Sequence, residues 1–427
     1  MLLKCRLRNG LKQPMPFEIM VNDKRKQMNN IDTLIAQLCP EGVEFQELGV
    51  VFKISRGRVM SKEYLRDNAG SYPVYSSQTE NNGEIGKITT YDYDGEYLTW
   101  TTDGANAGTI FYRNGKFSIT NVCGLLKINF ENVEAKFAYY VLSIVMKKYV
   151  SSGMGNPKLM SNVVAKIQIP IPPLPIQQEI VNILDKFTLL QTELETELQA
   201  RTRQYKYYRN DLLNFEGKEV EWKTLGEVGE FIRGRRFVKD DIVAEGVPCI
   251  HYGEMYTHYK IWAKKAKSFL EPALAAKLRV AHPGDVVIVA AGETIEDIGN
   301  GVAWLGESDV VIHDACFTYT HSLNPKYVSY YLQTNLFRSQ IKRNISSGKI
   351  SSINASGLSK AKIPIPPLKE QNRIVAILDK FDILVNDISE GLPAEIQARR
   401  KQYEYYREKL LTFKPNTQTT TTTTATT

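Results

Sequence analysis

No stretch of about 18 apolar residues runs through this sequence of 427 residues, so no transmembrane helix is expected. The basic N-terminus is not followed by an apolar run of about 7–15 residues and a small-residue cleavage site, so no secretory signal is expected either. Five cysteines are present, Cys5, Cys39, Cys123, Cys249 and Cys316. They are odd in number, far apart and without a CxxC pair, which excludes a disulfide or zinc framework and suits free thiols in a reducing, cytoplasmic compartment. Excess charge is scarce as well. Seven basic residues against two acidic ones put +5 of the net +7 into residues 1–30, so any nucleic-acid contact elsewhere must come from local clusters.

Catalytic signatures are missing too. There is no GxxxxGK[ST], and no GxGxxG between a strand and a helix. The five histidines, His251, His258, His282, His313 and His321, form no pattern such as HExxH and read as core, surface or DNA-facing groups. Asn156-Pro157 and Asn324-Pro325 continue as NPKL and NPKY, without the second proline and aromatic of an amino-methyltransferase motif. Asp92, Asp94 and Gly95 lack complete calcium-loop spacing and read as a hairpin turn.

What is present is a repeat. The chain is too long for a single hydrophobic core, so two or more domains are expected. KIQIPIPPLPIQQEIVNILDKF (166–187) and KIPIPPLKEQNRIVAILDKF (362–381) align from Pro172 and Pro366 onward at an offset of 194. QARTRQYKYYRNDLLNF, ending at Phe215, matches QARRKQYEYYREKLLTF, ending at Phe413, at an offset of 198. The second copy therefore carries four extra residues, around Ser389–Ala394. VEFQELGVVFKISRGR (43–58) matches VEWKTLGEVGEFIRGR (220–235) at an offset of 177, and the match reaches back to Ile35 and Leu212. Between these shared ends lie two stretches, about 50–165 and 227–360, without clear mutual similarity. One scaffold thus carries two different surfaces.

IPIPPL is extended, because each proline fixes its own φ and pushes the preceding residue out of the helical region. A helix is predicted to follow from about Ile176, and again from Glu370. Its apolar seam is Ile180, Ile183, Phe187, Leu190, Leu194, Leu198, Tyr205, Tyr208, Leu212 and Phe215, with Arg201 in the one gap. The second seam is Ile374, Ile377, Phe381, Leu384, Ile388, Ile396, Tyr403, Tyr406, Leu410 and Phe413, with a kink or break expected at Gly391 and Pro393. Spacings of three and four describe long helices packed along one narrow face. Pairing the two antiparallel covers both seams; the other possibility is that each helix packs on its own globular domain.

The variable stretches are rich in Tyr, Thr, Val and Ile runs broken by NNG, DG and NG, which predicts twisted antiparallel strands with protruding loops. Helical segments at 136–150 and 324–343 follow the strands, so the class is α+β. Candidate DNA-contacting residues cluster in polar and basic loops. Ser76, Ser77, Gln78, Asn81 and Asn82 have side chains that hydrogen-bond base edges. Arg113, Asn114 and Lys116 are placed at a hairpin tip. Arg233, Arg235 and Arg236 flank Gly234. His251, Tyr252, Tyr256, His258, Tyr259 and Lys260 mix rings with donors. SSGMGNPK (151–158) and SSGKISS (346–352) occupy equivalent places, where Lys158, Lys349 and backbone N–H groups suit phosphate.

IPIPPL before a long helix, repeated once after a divergent domain, resembles the specificity subunits of type I restriction-modification systems. The entry motif and the phrase TWTTDGANAGTIFYRNGKF are similar to that family, and the resemblance covers about residues 32–413. It implies two α/β target-recognition domains separated by two long conserved helices that form an antiparallel coiled coil, a pseudo-two-fold repeat. It assigns the first recognition domain to 32–170, a central helical region to 171–218, the second domain to 219–365 and a C-terminal helical region to 366–413. Two features depart from the family pattern: a basic arm at 1–31, whose residues 1–30 have no repeat counterpart, and a Thr-rich tail at 414–427, whose composition cannot form a core and is expected to be disordered. The resemblance implies that each domain reads half of a bipartite site in double-stranded DNA. It further implies that the helices set the spacer and dock two methyltransferase subunits, joined by nuclease/translocase subunits. This chain is then expected to be non-catalytic, with no cofactor, metal or membrane partner of its own; S-adenosylmethionine, ATP and Mg belong to the partner subunits. The rival readings are a coiled-coil scaffold that binds only protein, and a self-contained DNA-modifying enzyme, against which the missing motifs argue.

Overall fold

The computed structural model describes residues 31–151 and 155–416. The basic arm up to residue 30, Ser152–Met154 of the 151–158 loop and the Thr-rich tail from 417 lie outside the described residues. The chain divides into two compact units, one ending at Glu193 and completed by residues from Gln397 onward, the other spanning Leu194–Ile396. Among the described residues no helix is long and apolar enough to cross a membrane.

In the first unit a six-stranded sheet runs in the order Phe52–Arg56, Cys123–Ile128, Tyr93–Thr101, Ile110–Ile119, Ala69–Tyr75, Glu84–Ile88. Every neighbouring pair is antiparallel except Ala69–Tyr75 with Ile110–Ile119. Leu98, Trp100 and Leu126 turn inward against Phe137, Ala138, Val141 and Leu142 of the helix Ala135–Val145. The buried Trp100 indole N–H donates to the Leu159 carbonyl at 3.0 Å.

In the second unit one five-stranded sheet has the order Gly229–Arg233, Cys316–His321, Val286–Val289, Gly301–Trp304, Trp262–Ala263. A second five-stranded sheet, absent from the first unit, is built from Ile242–Val243, Ser268–Leu270, Val247–Ile250, Val310–Ile312 and Val280–Ala281. The first four strands of the six-stranded sheet and of the first five-stranded sheet nevertheless correspond in order and are all antiparallel. A helix follows the second of them in each unit, Ala135–Val145 in one and Pro325–Leu332 in the other. The expected pseudo-two-fold repeat thus extends into the variable stretches: part of the sheet framework is duplicated, and the sequence diverges over it.

The repeat also shows in how each domain is fixed to its helix. Phe45–Glu47 pairs with Gln168–Pro170, and Trp222–Thr224 with Lys362–Pro364. The buried Gln177 amide donates to the carbonyls of Pro172 (2.6 Å) and Asn132 (2.8 Å) and accepts from the Glu134 N–H at 2.9 Å. Its repeat partner Gln371 donates to Pro366 (2.8 Å) and accepts from the Asn324 N–H at 2.9 Å. About two helical turns further, Asp185 takes Lys136 Nζ at 2.5 Å and the Tyr140 hydroxyl at 2.6 Å. Asp379 takes Lys326 Nζ at 2.8 Å and the Tyr330 hydroxyl at 2.7 Å. Burial and the neighbouring carboxylate push both phenols well above the ordinary tyrosine range.

The first long helix is Leu174–Leu212, 39 residues, about 58 Å at 1.5 Å per residue. It starts two residues before the expected Ile176. The second is broken, as its glycine and proline predict, into Leu368–Asn386 and Leu392–Leu411. A Cβ on Gly391 would lie 2.3 Å from the Ile383 carbonyl oxygen, so only glycine fits the break. Pro393 falls in the next helix's first turn, where no N–H is required. The seams pair antiparallel. In the first unit Phe187 packs on Tyr403 (6.1 Å between centroids) and Tyr406 (5.6 Å). In the second, its repeat partner Phe381 packs on Tyr205 (6.4 Å) and Tyr208 (5.4 Å). Ile180, Ile183 and Ile374 are buried, and Leu194, Leu198 and Ile377 are half-buried. Two expected seam residues are corrected: Leu384 is 36% and Ile388 76% exposed, while Val385 is buried. The helix ends at Asn386, so Ile388 sits in the break and the register slips by one residue before it.

Candidate nucleic-acid interface

In the first unit the loop between Ala69–Tyr75 and Glu84–Ile88 is built by its own side chains. The Ser76 hydroxyl lies 2.8 Å from that of Thr120. Ser77 donates to the Val122 carbonyl and accepts from the Thr102 N–H at 3.1 Å. Gln78 Nε2 donates to the Glu84 carbonyl at 2.7 Å. These three expected DNA contacts thus shape the loop, and what it presents is Asn81 and Asn82, both exposed. Their φ values are +48° and +55°, followed by Gly83 at +82°. Asparagine tolerates this left-handed run better than other side chains with a Cβ.

Arg113 is corrected outright. The segment 93–119 is an antiparallel pair whose turn is 102–109, so Arg113 lies mid-strand opposite Tyr97 and not at a tip. The turns expected at Asp94-Gly95 and Asn114-Gly115 are not turns either, whereas Asp103-Gly104 does lie in the turn 102–109: Gly95 and Gly115 face each other across the ladder with φ of +117° and +98°. Arg113 is only 3% exposed. Its guanidinium stacks 3.5 Å from the Tyr75 ring centroid and 4.5 Å from that of Phe111. It donates from Nη2 to the Asn82 carbonyl at 2.8 Å and from Nε to the Thr99 hydroxyl at 3.1 Å. Burial holds its pKa below the ordinary arginine value. It is a post under the loop. Asn114 and Lys116 remain exposed on the strand.

The turn 102–109, which sequence reading passed over, joins the rim. Asn106 Nδ2 donates to the Thr79 hydroxyl at 3.1 Å, and the Gly104 N–H to the Pro157 carbonyl at 3.0 Å. The 151–158 loop is closed by the Ser151 N–H on the Lys158 carbonyl at 2.9 Å, leaving the Lys158 side chain exposed. Loops 76–84 and 102–109 and the described residues Ser151 and Gly155–Lys158 therefore adjoin one another. The DGANAG run, with left-handed glycines at both ends (Gly104, φ +93°; Gly108, φ +79°), was the available signal.

In the second unit Arg233, Arg235 and Arg236 are exposed where the strand Gly229–Arg233 ends. Arg233 Nε donates to the Asp314 carbonyl at 2.8 Å and Arg235 Nη1 to the Lys277 carbonyl at 2.7 Å. Arg279, unremarked in the sequence, reaches the Arg233 carbonyl at 2.6 Å. Beside them His251 and His313 stand 5.0 Å apart between centroids, each in ring contact with Tyr252 and Phe237. Burial pulls both imidazole pKa values down, so both rings are neutral at pH 7. Tyr252 is exposed, whereas Tyr259 is buried with its hydroxyl accepting from the Lys267 N–H at 2.8 Å.

The structure does not bring all the candidates together. Tyr256 donates to the Ala291 carbonyl at 3.2 Å, and with Lys260 it lines a cavity of about 350 Å³ against Tyr205, Arg209 and Asp382. Those two residues face the helix pair and leave the arginine–histidine surface. Lys349 is exposed in a loop closed by the Ser346 and Ser352 backbones, next to Ala291–Gly292. The alignment that places SRGR opposite IRGR also supplies Arg56 and Arg58, which were overlooked although their partners Arg233 and Arg235 were chosen. No group of His, Cys, Asp or Glu among the described residues could hold a metal ion.

Known proteins show the same organisation. The family model of the type I restriction modification DNA specificity domain matches twice, over residues 40–202 and 217–398. A Mycoplasma pneumoniae protein assigned as the type I specificity subunit S.MpnORF507P is 33% identical over 360 residues, 84% of this chain and 94% of that protein. The specificity subunit of the type I restriction enzyme EcoR124I/EcoR124II of Escherichia coli is 35% identical over 307 residues, 66% of this chain and 72% of that one. The solved S subunit of a type I restriction-modification system from M. genitalium matches with a TM-score of 0.52 at 15% identity, covering 87% of this chain and 96% of its own, a likeness of fold. Two specificity domains on one duplicated helical scaffold, matched by the family model over residues 40–202 and 217–398 and by these relatives over most of the chain, place the chain in the family of type I restriction-modification specificity subunits.

Proposed function

We propose that the chain directs a type I restriction-modification complex to a bipartite sequence in double-stranded DNA, each domain reading one half. The carrying observation is the tandem specificity domain: two equivalent frameworks on repeated helices, with different loops over each. Asn81, Asn82, Asn114, Lys116, Lys158 and the 102–109 turn form the first reading surface. Arg236, Arg279, His251, Tyr252 and Lys349 form the second, with Arg233 and Arg235 at its edge. Donors and acceptors of this kind read base edges in the major groove, while arginine and lysine hold phosphates. The paired helices set the unread spacer, by the geometry that ties dimer spacing to operator spacing, and dock two methyltransferase subunits, which nuclease/translocase subunits join. The chain itself is non-catalytic and cytoplasmic. S-adenosylmethionine, ATP and Mg act on the partner subunits.

The test is selection of DNA from a random duplex pool by the chain assembled with its methyltransferase subunits. A two-part motif is expected. Exchanging residues 50–165 for the corresponding segment of another family member should change one half only. Changes in both halves would overturn the one-domain, one-half assignment, and no enriched sequence would overturn DNA recognition.

A further inference from the structure

The arginine–glycine–arginine turn that leaves the edge strand is retained in both units, as Arg56-Gly57-Arg58 and Arg233-Gly234-Arg235, although the domains around it diverge. The glycine has an internal reason. A Cβ on Gly57 would lie 2.0 Å from the Ile119 carbonyl oxygen, and one on Gly234 2.2 Å from that of His313. Both glycine N–H groups close on equivalent carbonyls, Cys123 at 3.4 Å and Cys316 at 3.0 Å.

The arginines have no shared internal reason. Arg56 reaches the Ser161 hydroxyl at 3.4 Å and Met160 Sδ at 3.3 Å, but Arg233 bonds the Asp314 carbonyl. Arg58 pairs with Asp92 at 3.1 Å and the Tyr64 hydroxyl at 3.2 Å, but Arg235 bonds the Lys277 carbonyl. Four guanidiniums at two equivalent turns thus have four unlike partners, and each spends one or two of its five donors on them. Arg58, Arg233 and Arg235 are exposed and Arg56 is half-buried. A feature kept in duplicate without a common partner inside the fold points to a common partner outside it. That partner accepts hydrogen bonds, is negative, and is the same for both domains whatever each one reads.

We infer that the two R-G-R turns are duplicated clamps for the DNA phosphate backbone, and that they hold each domain on the duplex without contributing to its sequence choice. The inference rests on the DNA-recognition reading above. Placement supports it: the Arg58 carbonyl accepts from the Asn121 N–H at 3.0 Å, one residue from the Thr120 that braces Ser76, so the clamp adjoins the loop rim. Arginine suits the task because its planar fork bonds two phosphate oxygens at once.

The experiment uses the full chain in complex with its methyltransferase subunits, a random duplex pool and the duplex enriched from it. Arg56→Gln with Arg58→Gln, and separately Arg233→Gln with Arg235→Gln, should weaken both DNAs by the same factor and leave the enriched sequence unchanged. The slope of log affinity against log salt should fall by about 0.9 per phosphate lost. Between about 50 and 200 mM salt, a variant missing two contacts then loses roughly tenfold less affinity than the parent. Lysine at the same positions should restore most of the slope. A parental slope in the glutamine variants, or an altered half-site, overturns the clamp. Failure of the unmodified complex to enrich any sequence instead overturns the DNA-recognition reading.

Discussion

Gln177 and Gln371 offer a paired test of how the recognition domains are fixed to the helices. Each is buried, at 0% and 3% exposure. Replacing either by methionine keeps length and approximate volume and removes only the amide. In the first unit the Glu134 N–H at the start of the helix Ala135–Val145 loses its acceptor, and the buried Pro172 carbonyl loses a donor. The Asn132 carbonyl also loses one, but Asn132 is exposed and water replaces it. In the second unit the Asn324 N–H and the buried Pro366 carbonyl are stranded in the same way. An orphaned buried donor costs about 1–3 kcal/mol, and a buried carbonyl lacking its bond about 1 kcal/mol. Burying a thioether in place of an amide returns about 1 kcal/mol. The expected loss is roughly 1–3 kcal/mol at both sites, equal within about 1 kcal/mol despite unrelated surroundings. Hydrogen exchange reads it locally: amides of Ala135–Val145 should speed up in Gln177→Met and those of Pro325–Leu332 in Gln371→Met, by about 5- to 150-fold. Rates within threefold of the parent in either variant would refute the clamp. So would a penalty confined to one site.

Arg113→Met should leave the first sheet's stability within about 1 kcal/mol, because trading a buried charge for apolar volume is often near neutral. It should loosen residues 81–84, seen as faster amide exchange and a broadened first half-site; an unchanged half-site would return the loop's geometry to its own hydrogen bonds. His321 is held down to about 4 by burial. A histidine depressed in the folded state favours unfolding once the unfolded chain binds the proton. Second-unit stability should therefore be flat above about pH 6.5, fall by roughly 3 kcal/mol between pH 6.5 and 4, and level off below. His251 and His313 are shifted in the same direction and add to the fall. His321→Asn, which keeps an acceptor for the Leu323 N–H, should flatten the urea-midpoint profile of this unit; an equally steep profile would dismiss His321 as its source.

The helices and the repeat were legible because their signals are local. Three-four spacing, proline before a helix and glycine at a break act within a turn or two of chain. Strand order was not legible, since pairing Phe52–Arg56 with Cys123–Ile128 depends on contacts some 70 residues apart that no spacing rule encodes. Asp94-Gly95 and Asn114-Gly115 misled for a physical reason. The residues they suggest for tight turns are the same ones that let Gly95 and Gly115 adopt positive φ opposite each other within a ladder. Arg113 misled because a cation in a polar run reads as solvated. It shares a strand face with Phe111 two residues away and lies against Tyr75 across the sheet. Lys136 with Tyr140 and Lys326 with Tyr330 were readable as a Lys-x-x-x-Tyr pair preceding each ILDKF aspartate. The divergence around them hid the match.

The duplication also explains how the first unit is completed. In the second unit the chain runs without interruption from the helix end at Leu212 through Gly217 to Val220 and the strand Trp222–Thr224. In the first unit the same corner is made by two separate segments. The Val43 N–H donates to the Lys414 carbonyl at 2.8 Å, and the Asn416 N–H to the Val43 carbonyl at 2.9 Å. Val43 is the repeat partner of Val220, and Lys414 that of Glu216, so a covalent corner in one unit is a hydrogen-bonded corner in the other. Gly42, with φ of +103° and room for no Cβ beside the Pro415 carbonyl, makes that approach possible. The fold then depends on the corner and not on which peptide bond closes it. Joining Asn416 to Ile31 by a flexible linker and opening the chain between Gly217 and Lys218 should preserve both domains, since Asn416 is already held at Val43, a short stretch of chain from Ile31, and the new break falls in an exposed turn. Retention of the parental DNA motif by the permuted chain, assembled with its methyltransferase subunits, is the expected result. A permutant that folds but enriches only one half-site would show that the covalent corner at 216–220 does more than connect.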